Sequence, residues 1–187
     1  MIGMSAPNLL ENYQAYRTRR FLQNEAITGR WLPGWRTRTR RRALVIALAV
    51  EFAALIAIGA ICLASMTIGP LLWLVACVLF LPTWTILQVV SSRQSDAPRD
   101  ALDEREIAER DSARSIGLTI TQTLAMLPAF VLIVASSLNE TNPGFGYACG
   151  LWIVTALLIG GCSPAMILAW NRPDPDPEDA GVAGAVR

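Results

Sequence analysis

One side chain in this sequence stands where ionisable groups are rare. Glu51 is the single charged residue of the apolar tract Ala43–Met66. It lies eight residues beyond Ala43, or about 12 Å along a helix that rises 1.5 Å per residue. An ionisable group at that depth in hydrocarbon marks a functional site by default, because charge there is costly. Neighbouring apolar tracts supply polar groups at matching depth: Thr83, Thr85 and Gln88, then Thr119, Thr121, Gln122 and Thr123, then Ser163. Glu51, Gln88, Thr119, Gln122 and Ser163 therefore form a candidate intramembrane polar layer, with Glu51 and Gln122 at its centre. Two chemistries fit such a layer. Interhelical hydrogen bonds worth about 0.6–2 kcal/mol each would make it structural glue, whereas a cavity lined by the same groups would carry protons or solute. Pro82, Pro128 and Pro164 interrupt three of the tracts. Such breaks occur at transporter sites, but proline is also ordinary in membrane helices, and no internal repeat accompanies them.

Other chemistries are excluded by composition. All 16 basic residues are arginine, and histidine is absent. Histidine acid–base catalysis, histidine metal ligation and lysine Schiff bases therefore have no residues to work with. Cys62, Cys77, Cys149 and Cys162 show no CxxC spacing. They read as buried, inert thiols, with a Cys62–Cys149 bridge as the alternative that spacing leaves open. No metal, cofactor or catalytic group is expected, and the chain reads as a non-enzyme. A net charge of +1 gives no reason to expect a nucleic-acid partner. The exclusive use of arginine suggests a GC-rich bacterial genome.

The elements that must position these groups follow from apolar length. Of the residues, 53% are hydrophobic and 17% charged, the balance of a membrane protein. Crossing a bilayer core takes about 20 apolar residues in a helix. Four tracts reach that length, at about 43–66, 70–90, 116–138 and 145–170, and none shows the polar stripe of a soluble helix. The predicted fold is all-α: a polytopic membrane protein with a four-helix transmembrane bundle over 43–170 and an interfacial amphipathic helix before it. Arginines fall in the arm 1–42, the loop 91–115 and the tail 171–187, and none falls in the two other connections. The positive-inside rule then puts both termini in the cytoplasm of a bacterial plasma membrane. The first apolar tract is too long and starts too late for a cleaved signal.

Within the arm, Leu9, Leu10, Tyr13, Tyr16 and Phe21 suit a helix lying on the inner leaflet, ended near Gly29. Trp31 and Trp35 and then Arg40, Arg41 and Arg42 are expected to anchor at the surface of an anionic leaflet. Docking of another protein is the alternative use of this arm. Ala53, Ala57, Ala60 and Ala64 on the first span, and Gly146, Gly150, Gly160 and Gly161 on the fourth, are small enough for close helix packing, within the bundle or between copies.

In the loop, Pro98 breaks the chain, Asp100 is placed to cap, and Asp103 falls in the first turn near the positive end of the helix dipole. Glu106–Arg110 and Asp111–Arg114 are spaced for ion pairs along a helix that runs on into the third span. The run Leu102–Arg110, followed by Ala113 and Ile116, resembles a juxtamembrane motif of small multi-pass prokaryotic (actinobacterial-like) membrane proteins, in which an Asp-Glu-Arg triplet precedes the helix. That resemblance implies an interaction site at Asp103, Glu104 and Arg105 and no activity. The tail from Pro173 alternates proline with acids and is expected to be extended. The expected function is a membrane protein acting through protein contacts on its cytoplasmic face, as an accessory subunit or small regulator, with a protein partner or a second copy. The alternative is a small transporter or channel component that uses Glu51.

Overall fold

In a computed structural model the described residues are 12, 13, 16, 18–21, 23, 35, 37–91, 102–138 and 142–174. They contain four long helices: α1 (Arg38–Ala64), α2 (Ile68–Val90), α3 (Glu104–Ser137) and α4 (Pro143–Asn171). Each is long and apolar enough to cross a membrane. The described residues of the arm are helical at 12, 13, 16, 18–21 and 23, and Trp31 lies outside the described set.

Local chemistry sets the helix ends. Ser65–Thr67 joins α1 to α2, and the Ser65 hydroxyl accepts from the Ile68 N–H at 3.2 Å. The α4 start is built by Asn142, whose side chain accepts from the Phe145 N–H at 2.7 Å, with Pro143 in the first helical position. The α3 start is a capping box. Asp103 accepts from the Glu106 N–H at 2.7 Å, and Glu106 reaches back to the Asp103 N–H at 3.4 Å. This corrects the expected cap at Asp100: the reciprocal Asp103–Glu106 pair satisfies two orphan donors where a lone aspartate satisfies one. From there α3 runs unbroken through the charged loop segment into the apolar span, past Pro128.

The helices lie side by side in the order α2–α1–α4–α3. α4 packs on both α1 and α3, α1 packs on α2 and α4, and α2 meets α4 only slightly. Small residues explain the position of α4. Its buried positions include Gly144, Ala148, Cys149, Ala156, Gly160 and Ala165, which admit a neighbour on each side. The tightest crossing pairs Gly160 with Gly117 and Thr121 of α3, where a Cβ on Gly160 would run into the Thr121 hydroxyl. α1 buries a single stripe: Leu44, Leu48, Phe52, Leu55, Gly59 and Cys62. Phe52 meets Phe80 of α2 at 5.8 Å between ring centroids, and Phe80 in turn stacks on Trp84 at 6.3 Å. Gly59 leaves room for Trp152 of α4, whose indole N–H donates to the Ile56 carbonyl at 2.9 Å.

Two packing expectations are corrected as far as they concern contacts within the bundle. Ala53, Ala57, Ala60 and Ala64 are exposed, because the larger residues of α1 occupy its inward stripe. Gly146, Gly150 and Gly161 meet nothing within 4 Å of a built Cβ, so they do not serve contacts within the bundle. All four cysteines are free. Cys62 and Cys149 are fully buried and unbridged, which removes the disulfide alternative.

Candidate functional site

The expected polar layer does not assemble. Glu51 meets one group: the Thr83 hydroxyl of α2 donates to Glu51 Oε1 at 2.7 Å, while Glu51 Oε2 is buried without a partner. The same hydroxyl lies 3.2 Å from the Leu79 carbonyl, and its single proton favours the shorter, carboxyl-directed contact. The helix order explains why the other groups stay away. Thr119 and Gln122 sit on α3, two helices from α1, and both are exposed on the side away from α4. Thr119 hydrogen-bonds within its own helix, to the Ser115 carbonyl at 3.1 Å. Ser163 is buried and donates to the Ile159 carbonyl at 2.6 Å. Gln88 is buried, and its side-chain carbonyl has no donor. A hydroxyl that can back-bond one turn along its own helix needs no partner on another, which is why these residues need not meet.

A different cluster does assemble, at the arginine-rich end of the bundle. Arg41 is 2% exposed, and its Nη2 donates to the carbonyls of Arg172 at 2.8 Å and Pro173 at 2.7 Å. Arg172 in turn donates to the Ser91 carbonyl at 2.9 Å. Asp174 accepts from the Arg38 N–H and stands 4.0 Å from Arg41 Nη2. Three helix ends are closed by this exchange: an acid at the N-terminus of α1, and arginines at the C-termini of α2 and α4. Each charge complements the dipole of the helix it caps and satisfies backbone groups that the helix leaves open.

The cluster corrects two expectations. Arg41 is no surface anchor, because the α4 C-terminus takes it inside. The first residues of the tail, Arg172–Asp174, are held against the bundle, while the rest of the tail lies outside the described residues. Arg40 and Trp35 stay exposed, with the guanidinium 5.5 Å from the Trp35 ring centroid. Arg42 lies 4.7 Å from the Trp170 ring centroid. Sequence reasoning missed Arg172, Asp174 and Ser91 as members of a site. The available signal was an arginine and an aspartate just past the end of the last span, where exposed carbonyls attract cations.

The triplet at the start of α3 divides by role. Asp103 is the cap, and Arg105 pairs with Glu109 at 2.9 Å, one helical turn on. Glu104 is exposed. Arg110 is buried and pairs with Asp111 at 2.9 Å. The result is a capped, internally paired helix that carries charged groups on its outer side.

No family model, curated protein or solved structure matches this chain.

Among the described residues, no group of three metal-ligating side chains comes together. One groove, of about 260 Å³, is lined by Ile56, Leu124, Leu127, Val131, Trp152 and other largely apolar groups. A second, of about 340 Å³, lies among α1, α3 and α4 near Trp170 and Asn171. Neither contains Glu51.

Proposed function

We propose that this chain is a non-enzymatic integral membrane protein that works through contacts made by α3, as an accessory subunit or small regulator. The supporting observation is that, among the described residues, α3 packs mainly on α4 and carries polar groups on its opposite side. Taking 100° per residue, Ser115, Thr119, Gln122 and Met126 fall opposite Ala113 and Gly117, the positions buried against the bundle. The Gln122 carboxamide lies six residues beyond Ile116, about 9 Å into the span. A carboxamide facing lipid leaves donors and an acceptor unpaired, which hydrocarbon penalises by several kcal/mol. A partner helix, or α3 of a second copy, relieves that cost. Beyond the apolar span the helix continues towards Glu104, placing exposed Glu104 and Arg105 on a stiff extension of the same helix. By arginine count this end faces the cytoplasm of a bacterial plasma membrane.

Co-purification from native membranes in mild detergent tests the reading. A partner or second copy retained by the wild type is lost with Gln122→Leu, or with Glu104→Ala combined with Arg105→Ala, while the variants keep wild-type thermal stability. Glu51→Gln leaves the complex intact. The competing reading, a small transporter or channel component, draws on the unpartnered Oε2 of Glu51. It requires the opposite result in proteoliposomes: proton or solute flux that Glu51→Gln abolishes and the α3 variants leave unchanged.

A further inference from the structure

The second groove has the makings of a lipid site. Its walls are Val45 of α1, Ile120 of α3, and Met166 and Ile167 of α4, with Trp170 and Asn171 at the arginine-rich end. Along α4 it extends from Ser163 to Asn171, eight residues or about 12 Å, a length that takes the upper part of an acyl chain. Beside its mouth stands Arg42, whose guanidinium lies 4.7 Å from the Trp170 ring centroid.

Arg42 differs from Arg41 and Arg172 in having no acceptor among the described residues. Arg41 is taken up by the carbonyls of Arg172 and Pro173, and Arg172 by that of Ser91. Asp174, the acid beside Arg38 and Arg41, is engaged with the Arg38 N–H and Arg41. Among the described residues Arg42 has its aromatic contact but no hydrogen-bond acceptor, and its Nε is buried and unpaired. A guanidinium presents five N–H donors in a fork that matches phosphate oxygens. Stacking on an indole holds that fork in place without consuming its donors.

We propose that this groove seats one anionic phospholipid, with its phosphate on Arg42 and an acyl chain between α1, α3 and α4. The occupant is a lipid and not free phosphate, because the cation stacks on Trp170, a wall of the apolar trough at the end of the spans. Basic pockets between membrane helices at the arginine-rich side hold anionic headgroups by this combination. The inference is independent of the partner contacts proposed for α3.

The test is native mass spectrometry of the full chain with phosphatidylglycerol or phosphatidylcholine of identical acyl chains. The wild type retains one phosphatidylglycerol in preference to phosphatidylcholine, and millimolar inorganic phosphate does not displace it. Arg42→Gln weakens phosphatidylglycerol binding about fivefold, the equivalent of about 1 kcal/mol for one arginine at an anionic surface. Ile167→Trp fills the trough and lowers occupancy for both lipids while leaving Arg42 in place. Arg40→Gln removes the same charge from an exposed position and leaves retention unchanged. Equal retention of the two lipids, or equal losses from Arg40→Gln and Arg42→Gln, would overturn the proposal by reducing it to diffuse surface charge.

Discussion

Replacing Arg41 with methionine isolates what holds the arginine-rich end together. The substitution keeps most of the stem volume and removes the guanidinium, so the loss reports donors and not packing. Two bonds from a charged donor to the Arg172 and Pro173 carbonyls are worth about 1.5–3 kcal/mol each in isolation. Their sum overshoots, because burying a guanidinium costs several kcal/mol in return. A cation at a partly buried helix C-terminus has a net worth of up to about 2 kcal/mol, and that is the expected destabilisation for Arg41→Met. The ion pair contributes little of this. Asp174 is 60% exposed and 4.0 Å away, which places it with surface pairs worth about 0–1 kcal/mol. Asp174→Asn should therefore cost under about 1 kcal/mol, the more so because an asparagine oxygen still accepts from the Arg38 N–H. Reversible unfolding in mixed dodecyl maltoside and SDS micelles, followed by tryptophan fluorescence, measures both variants. The reasoning fails if Arg41→Met lies within about 0.5 kcal/mol of wild type. It also fails if Asp174→Asn costs as much as Arg41→Met, which would make the acid and not the helix end the true partner.

Three further outcomes follow from the packing. Gly160→Ala drives a methyl into the Thr121 hydroxyl at the α3–α4 crossing and should cost about 1–3 kcal/mol as overpacking, whereas Gly150→Ala, with open space at its Cβ, should be neutral in the same unfolding assay. Asp103→Ala removes the capping box and should cost the α3 start about 1 kcal/mol, read as faster hydrogen exchange over residues 104–107 with the remainder of the helix unchanged. A membrane-permeant thiol reagent should label half-buried Cys77 ahead of buried Cys62, Cys149 and Cys162, scored by mass spectrometry; Cys62 or Cys149 labelling first would contradict the α1–α4 packing.

The number of helices and their approximate limits were legible because apolar length is a local property that a reader can count. The order in which they stand was not. In water, a polar stripe reveals which side of a helix turns outward. In lipid both sides are apolar, and association rests on packing and small residues. Nothing in the composition of α1 therefore separates its alanines from Leu44, Leu48, Phe52 and Leu55, which form its packing surface within the bundle. The same blindness set Glu51 of α1 in one layer with Thr119 and Gln122 of α3, residues at one depth that stand on non-adjacent helices. Depth follows from position in the chain, but adjacency does not. The capping box was within reach of sequence reading, since Asp103 and Glu106 have its spacing, but Pro98 and Asp100 offer competing signals five and three residues upstream. The Arg41 contacts lay beyond reach, because their acceptors are backbone carbonyls more than a hundred positions away and carry no side-chain signature.

Arg40, Arg41 and Arg42 show how much a charge count leaves out. Successive residues of a helix point about 100° apart, so three arginines in a row cannot share a role. Arg40 turns outward over Trp35, Arg41 enters the end of α4, and Arg42 stacks on Trp170 beside the apolar groove. A count of arginines near the membrane weighs all three alike in setting orientation, and the folded end of the bundle does not. Removing Arg41 subtracts one charge of 16, too few to reverse insertion when the opposite connections carry none, yet it strips the cap from α4. Removing Arg42 subtracts the same charge, leaves the cap, and takes away the guanidinium that stacks on Trp170 with its Nε unpaired. If the two losses proved interchangeable in stability and in lipid retention, the helix register at this end would be wrong. If they separate, stability falls with the first and lipid retention with the second, and the division of labour follows from rotation about a single helix axis.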